Sequence, residues 1–157
     1  MSGFCSGKTS AEYDCAGSSA TQYSGGSMMM QIDSHQHFWE YDPEQYVWMD
    51  DQMTVLQHHH LPNDLSAAQS DLGFDGSVAV QARQTLEENR WLLELADLNP
   101  RVKGVVGWVD LASEACEEQL LEFKNHPKFV GVRHITQDEP DNDFIIRPEI
   151  IRGLKVL

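Results

Sequence analysis

Two apolar patterns take turns along the chain from residue 30 onward. Short β-branched runs read as buried strands, and stretches with apolar residues three, four and seven apart read as helices. Ile32 to Trp39 is the first strand candidate. A helix opened by Pro62-Asn63-Asp64 follows, with Leu65, Ala68 and Leu72 on one face and Gly73 as its stop. Gly76 to Ala82 reads as a second strand. Thr85 is then an N-cap, with Glu88 completing a capping box, and the helix runs through Trp91, Leu92, Leu95 and Ala96 to Asn99-Pro100. Val102 to Val109 is the third strand. Ser113 caps the next helix, whose first turns hold Glu114, Glu117 and Glu118 and whose buried face is Cys116, Leu120 and Phe123. Phe129 to Ile135 is the fourth strand, a polar loop spans Thr136 to Asp143, and Pro148 starts a helix with Ile150, Leu154 and Leu157 on its apolar face.

Strand followed by helix, repeated four times, implies parallel strands joined by right-handed crossovers. Strand starts near positions 76, 102 and 128 are 26 residues apart. A (β/α)8 barrel has about 250 residues, or roughly 31 per unit. The 128 residues from Met30 to Leu157 are therefore close to half of one. The expected fold class is α/β: about four βα units, the N-terminal half of a TIM-type (β/α)8 barrel. A self-contained open sheet of four units is the competing architecture.

Residues 1–29 break this pattern. Ser and Gly recur, no apolar period exists, and such a segment buries too little to offset its ordering entropy. It has neither the apolar stretch of a signal peptide nor the arginines of a transit peptide. It is expected to be a disordered leader, with the functional chain starting near Met28-Met29-Met30 and the domain proper covering 30–157.

Composition narrows the function classes. The chain of 157 residues is 41% apolar and 23% charged, as a soluble domain is. A net charge of −14 argues against nucleic acid or an acidic membrane surface as partner. No run of about 18 apolar residues would span a bilayer. Cys5, Cys15 and Cys116 are odd in number and widely spaced, which fits a reducing cytoplasm rather than a disulfide framework. Cys116 reads as a core residue.

Polar and titratable residues gather where strands turn into loops, the place where α/β sheets and barrels build their sites. The first strand ends in Asp33-Ser34-His35-Gln36-His37, and strand alternation points His35 and His37 the same way, with Asp33 one pleat below. Two imidazoles on one face can ligate zinc or a similar ion, or donate to an anionic substrate. The second strand end offers Gln81 and Arg83, the third Trp108 and Asp110, the fourth Arg133 and His134. Glu87 and Glu88 read as cap and dipole residues. Trp39, Tyr41, Tyr46 and Trp48 could wall a pocket or fold down as a satellite core. His58-His59-His60 reads as an exposed run, because adjacent residues do not converge.

Asp33-Ser34-His35-Gln36-His37-Phe38-Trp39 resembles the D-x-H-x-H start of the amidohydrolase-related family, and its lactonase branch in particular. Val80-Gln81-Ala82, Glu88 to Ala96, Gly104 to Leu111 and Gly131-Val132-Arg133-His134 are similar to that branch's later segments, in the same order. The branch includes hydrolases of L-fuconolactone, L-rhamnonolactone and 2-pyrone-4,6-dicarboxylate. The resemblance covers residues 30–157 and implies a (β/α)8 barrel. It places His35 and His37 as catalytic residues and candidate ligands of a divalent, zinc-like metal, although some members of the branch work without one. Together with the strand-end reading it makes His134 a third catalytic candidate and Arg83, Trp108 and Arg133 substrate-binding candidates, Arg133 for a carboxylate or hydroxyl.

The implied activity is hydrolysis of a sugar lactone, with a small lactone or carboxylate as the small-molecule partner and the oligomeric state left open. Family members continue into four more units, which supply further histidines and a water-activating Asp. The 157-residue chain is therefore expected to be an incomplete gene model or truncated product, poorly stable and inactive alone. Decarboxylation of an aromatic acid by a related metal-dependent amidohydrolase, and a non-catalytic binding module, are the two alternatives.

Overall fold

The computed structural model describes residues 29–157, so the leader and its Cys5 and Cys15 lie outside the described residues. Four strands and four helices alternate: β1 (Ile32–Gln36), α1 (Pro62–Asp71), β2 (Gly76–Val80), α2 (Leu86–Leu98), β3 (Val102–Gly107), α3 (Cys116–Phe123), β4 (Phe129–Val132) and α4 (Pro148–Leu154). Two 3-10 turns, Thr136–Asp138 and Phe144–Ile146, interrupt the last connection. The strands pair in parallel in the order β1-β2-β3-β4. A doubly wound open sheet reverses its strand order at a switch point. This one does not, and it has the arrangement of the first half of a (β/α)8 barrel. Every pair slips by one residue: between Asp33 and Gln36 of β1, between the partners of Ser77 and Val78 in β3, and between those of Val105 and Val106 in β4.

The core lies between the sheet and its helices. Leu92, Leu93 and Ala96 of α2 pack on Ala79, Val102 and Val105, with Phe38 and Phe123 closing the ends. A second cluster joins Val109, Leu111, Cys116, Phe144 and Ile150 under α3 and α4. Cys116 is buried there as expected, and burial pushes its thiol up from the ordinary range. Among the described residues, no helix is long and apolar enough to cross a membrane.

Several local expectations are corrected. Strands end sooner: β2 stops at Val80 and β4 at Val132, although the Gln81 and Arg133 N–H groups still reach Val106 O and Gly107 O at 2.8 Å. Helix α1 buries Pro62 and Gln69 rather than Ala68 and Leu72. Leu72 is 70% exposed, because it sits at the C-cap just before Gly73 turns the chain at φ +77. Thr85 caps α2 by accepting from Glu88 N–H at 3.1 Å, but the Glu88 carboxylate does not return the bond and goes elsewhere. Ser113 accepts from Ala115 N–H in the turn before α3 instead of capping the helix itself. In α4 the buried face is Ile150 and Gly153, while Leu154 keeps 42% of its surface exposed.

One contact between α2 and β3 decides where the rim of the sheet lies. Asn89, fully buried, accepts from Trp108 N–H at 2.7 Å and donates to Trp108 O at 2.6 Å. It takes over the ladder where β3 ends. Gly107 leaves room for it: a Cβ there would come within 2.8 Å of Asn89 Cγ and 2.7 Å of the Phe129 ring. Gly107→Ala should therefore cost about 2–3 kcal/mol, the overpacking penalty plus weakened hydrogen bonds. Urea denaturation should show a lower midpoint with an unchanged slope.

Candidate active site

Parallel pairing brings the C-terminal ends of β1, β2 and β4 to one rim, and three of the expected residues meet there. His35 Nε2 and His37 Nε2 are 3.1 Å apart, their rings edge to face at 74°. Arg133 Nη1 lies 3.3 Å from His35 Nε2. The convergence owes something to the irregular register of β1. One extra residue between Asp33 and Gln36 re-aims the strand beside the site, as bulges do. Asp33 does not reach the cluster; its carboxylate accepts from the His35 N–H at 3.1 Å and so orients the strand.

The tautomer of His37 follows from its partner. Its Nδ1 is 2.8 Å from Val80 O, and a carbonyl only accepts, so the proton sits on Nδ1 and Nε2 carries a lone pair. Burial pulls the His37 pKa below 6.5; the Val80 bond opposes this, while Arg133 and His35 reinforce it. His37 is thus neutral at pH 7. The His35 Nε2 atom then faces two incompatible neighbours. Towards His37 it must donate; towards Arg133 it must accept. An oxygen ligand resolves the conflict by accepting from both His35 and Arg133.

Arg133 is held from below. Its Nη2 donates to Gln81 O at 3.2 Å, and Gln81 Nε2 donates to Arg133 O at 3.2 Å. Gln81 is fully buried. Gln81 Oε1 and Arg133 Nε are buried without a hydrogen-bond partner among the described residues. Burial also draws the Arg133 guanidinium below its ordinary pKa. Beside the cluster a cavity of about 450 Å³ is walled by Trp39, Tyr46, Trp48, Met49 and Leu56, with His37 and Arg133 in its lining. The aromatic loop is both wall and core: Tyr46 is buried, with its hydroxyl pKa pushed up to about 12 by burial and by Glu88, whereas Trp48 is half exposed.

The other three expected residues lie apart from this cluster. His134 follows Arg133 and points to the opposite side, stacked on Phe144 at 4.6 Å. Trp108 Nε1–H donates to its Nδ1 at 3.3 Å, so its Nε2 carries the proton and donates to Glu139 at 2.7 Å. Both ring nitrogens are engaged, and Trp108 spends its indole N–H on the same chain. Arg83 lines a different cavity and pairs with Glu88 at 2.8 Å. Sequence reasoning missed the Glu88 pair and the backbone role of Gln81. Gln81 stands between apolar residues, a signal that could have marked it, whereas Glu88 lies among Glu87, Asn89 and Arg90 and carries no such mark. Of the histidine run, His58 is exposed, His59 accepts from Tyr41 N–H at 3.0 Å, and the His60 ring packs on Trp39 at 4.4 Å.

The two Nε2 atoms fit a metal as a pair of ligands. A catalytic zinc usually takes about three protein ligands. No group of three or more His, Cys, Asp or Glu side chains suited to a metal occurs among the described residues. A guanidinium cation also flanks the pair, so the described residues do not complete a metal site. In solution with EDTA, the His37 ring should titrate below pH 6.5 by NMR. Because the folded pKa is depressed, its contribution to stability is full above 6.5 and lost as pH falls from 6.5 through the folded value. A His37 midpoint above 6.5 would contradict this environment.

Comparison with known proteins places this rim in context. The family profile described as amidohydrolase matches residues 32–152. An L-fucono-1,5-lactonase of Burkholderia multivorans is 39% identical over 126 residues, 80% of this chain and 42% of that protein. An L-fucono-1,5-lactonase of Burkholderia ambifaria is 35% identical over 121 residues, 77% of this chain and 42% of that protein. A crystal structure of a Burkholderia multivorans amidohydrolase with bound zinc superposes with a TM-score of 0.76 at 38% identity, over 80% of this chain and 44% of that one. The chain thus spans less than half the length of the curated relatives it matches.

Proposed function

The chain belongs to the amidohydrolase family, and from that premise we propose that it carries the carbonyl-polarising part of a sugar-lactone hydrolase. The observation that supports this most is the convergence of His35, His37 and Arg133 beside the aromatic cavity. Arg133 Nη1 and His35 Nε2–H donate to the lactone carbonyl oxygen, where negative charge grows as water attacks. His37, neutral and locked by Val80, accepts from a substrate hydroxyl through Nε2. A hydroxylated lactone offers both the acceptor and the donor that this cluster needs. The aromatic wall takes the apolar face of the ring and keeps water away from it.

Hydrolysis forms a bond from water oxygen to the carbonyl carbon and breaks the ring C–O bond, giving a hydroxy acid. The water proton goes to a base and the ring oxygen gains one. Of the carboxylates around the site, Asp33 binds the His35 backbone, Glu88 is paired with Arg83, and Asp138 lines the cavity but makes no hydrogen bond to His35, His37 or Arg133. We assign the base to a group outside the described residues. A divalent ion held by His35 and His37 would act as a further Lewis acid on the same carbonyl. The third ligand it needs is not among the described residues, and no step depends on it.

The test joins the transcript to an assay. The protein it encodes is assayed for acid release from L-fucono-1,5-lactone with a pH indicator. Turnover should fall about 100-fold in Arg133→Ala, the usual loss for one oxyanion donor. The chain 1–157 alone should release no acid above buffer. Turnover by 1–157, or turnover indifferent to Arg133, would overturn the proposal.

A further inference from the structure

Most of the cavity wall comes from the segment between β1 and α1, which has no regular element beyond the bridge of Trp39 to His60. Its hydrogen bonds are largely internal. Trp39 Nε1–H donates to Leu56 O at 3.1 Å, Tyr41 N–H to His59, and Gln57 to Met49 O and Asp50 O. Among the described residues, one hydrogen bond leads from residues 38–60 to the later part of the fold: Arg83 Nη1 to Gln45 Oε1. The same guanidinium lies 5.7 Å from the Tyr46 ring centroid, within cation–π range.

Arg83 is in turn set by a buried charge. Glu88 is 0% exposed, and a carboxylate so placed is costly unless fully paired. Both its oxygens are used: Oε1 accepts from Ala82 N–H at 3.0 Å and Oε2 from Arg83 Nε at 2.8 Å. Its place in the first turn of α2 adds the helix dipole. With Nε held by Glu88, the planar guanidinium aims Nη1 at Gln45 and sits over the Tyr46 ring. Gln84 ties the same connection to the β4 loop by accepting from Ile135 N–H at 2.7 Å. Tyr46 and Ile135 both line the cavity beside His37 and Arg133.

We propose that Arg83 and Glu88 are positioning residues, an ion pair anchored on a buried carboxylate that clamps the aromatic loop onto the β2–α2 connection and so sets the shape of the substrate cavity. Arg83 then acts through the loop and does not touch the substrate. The clamp itself is independent of the lactone reading; only its effect on affinity rests on that reading.

Hydrogen–deuterium exchange on the ligand-free encoded protein reads the clamp directly. Arg83→Lys keeps a charge for Glu88 but cannot also reach Gln45, and Gln45→Ala removes only the exposed end, so the fold survives in both. Exchange across residues 39–57 should rise about fivefold in Arg83→Lys, the factor for one lost hydrogen bond. Gln45→Ala should move the same segment by a smaller factor, and α2 and the strands should stay unchanged. In the turnover assay of the encoded protein, Arg83→Lys should raise KM about fivefold with kcat retained. Unchanged loop exchange, or a rise spread equally over α2 and the sheet, would overturn the clamp. An encoded protein with no lactone turnover would instead overturn the functional reading, with the exchange result still deciding the clamp.

Discussion

Strands paired in parallel all end at one rim, and the chemistry of this chain depends on that constraint. His35, His37, Gln81 and Arg133 are separated by as many as 98 residues in sequence, between His35 and Arg133. Three crossovers return the chain each time to the same edge, so residues that close β1, β2 and β4 become neighbours. The core under the sheet supplies the stability for this. Leu92, Leu93 and Ala96 press α2 on Ala79, Val102 and Val105, and the rim can then hold polar groups that a less supported edge could not. Two buried polar side chains, Asn89 and Glu88, extend α2's grip into the loops themselves.

The fold was largely legible in the sequence. Periodicity marked every strand and helix, and the steady 26-residue spacing pointed to repeated βα units. What periodicity could not show was where strands stop, because the ladder at Gln81 and Arg133 is finished by single N–H bonds. It also placed the buried face of α1 wrongly. Of the stripe Leu65, Ala68 and Leu72, Leu65 does pack against the core, but Ala68 and Leu72 are exposed and Gln69 is buried in their stead.

The site was legible in part. Alternation along a strand brings His35 and His37 together, and their convergence with Arg133 was a matter of strand ends sharing a rim. Side-chain direction was not legible. Arg133 and His134 are adjacent, so one faces the cluster and the other the Trp108–His134–Glu139 chain. Arg83 stands at a strand end like Arg133, yet the buried charge of Glu88, five residues on, turns it towards the aromatic loop. A capping box and an ion pair anchored on a buried carboxylate use the same Glu at the same spacing. Only packing distinguishes them.

The account rests on His35, His37 and Arg133 acting as one binding cluster for ligand oxygen. Ring-labelled histidine NMR of the encoded protein, titrated with L-fuconate, tests it most directly. The hydroxy acid offers a carboxylate and hydroxyls and cannot be turned over. The Nε2 signals of His35 and His37 should shift together along one saturation curve, and the shifts should vanish in Arg133→Ala. Saturable binding that leaves both rings unmoved, or shifts that persist without Arg133, would contradict the account.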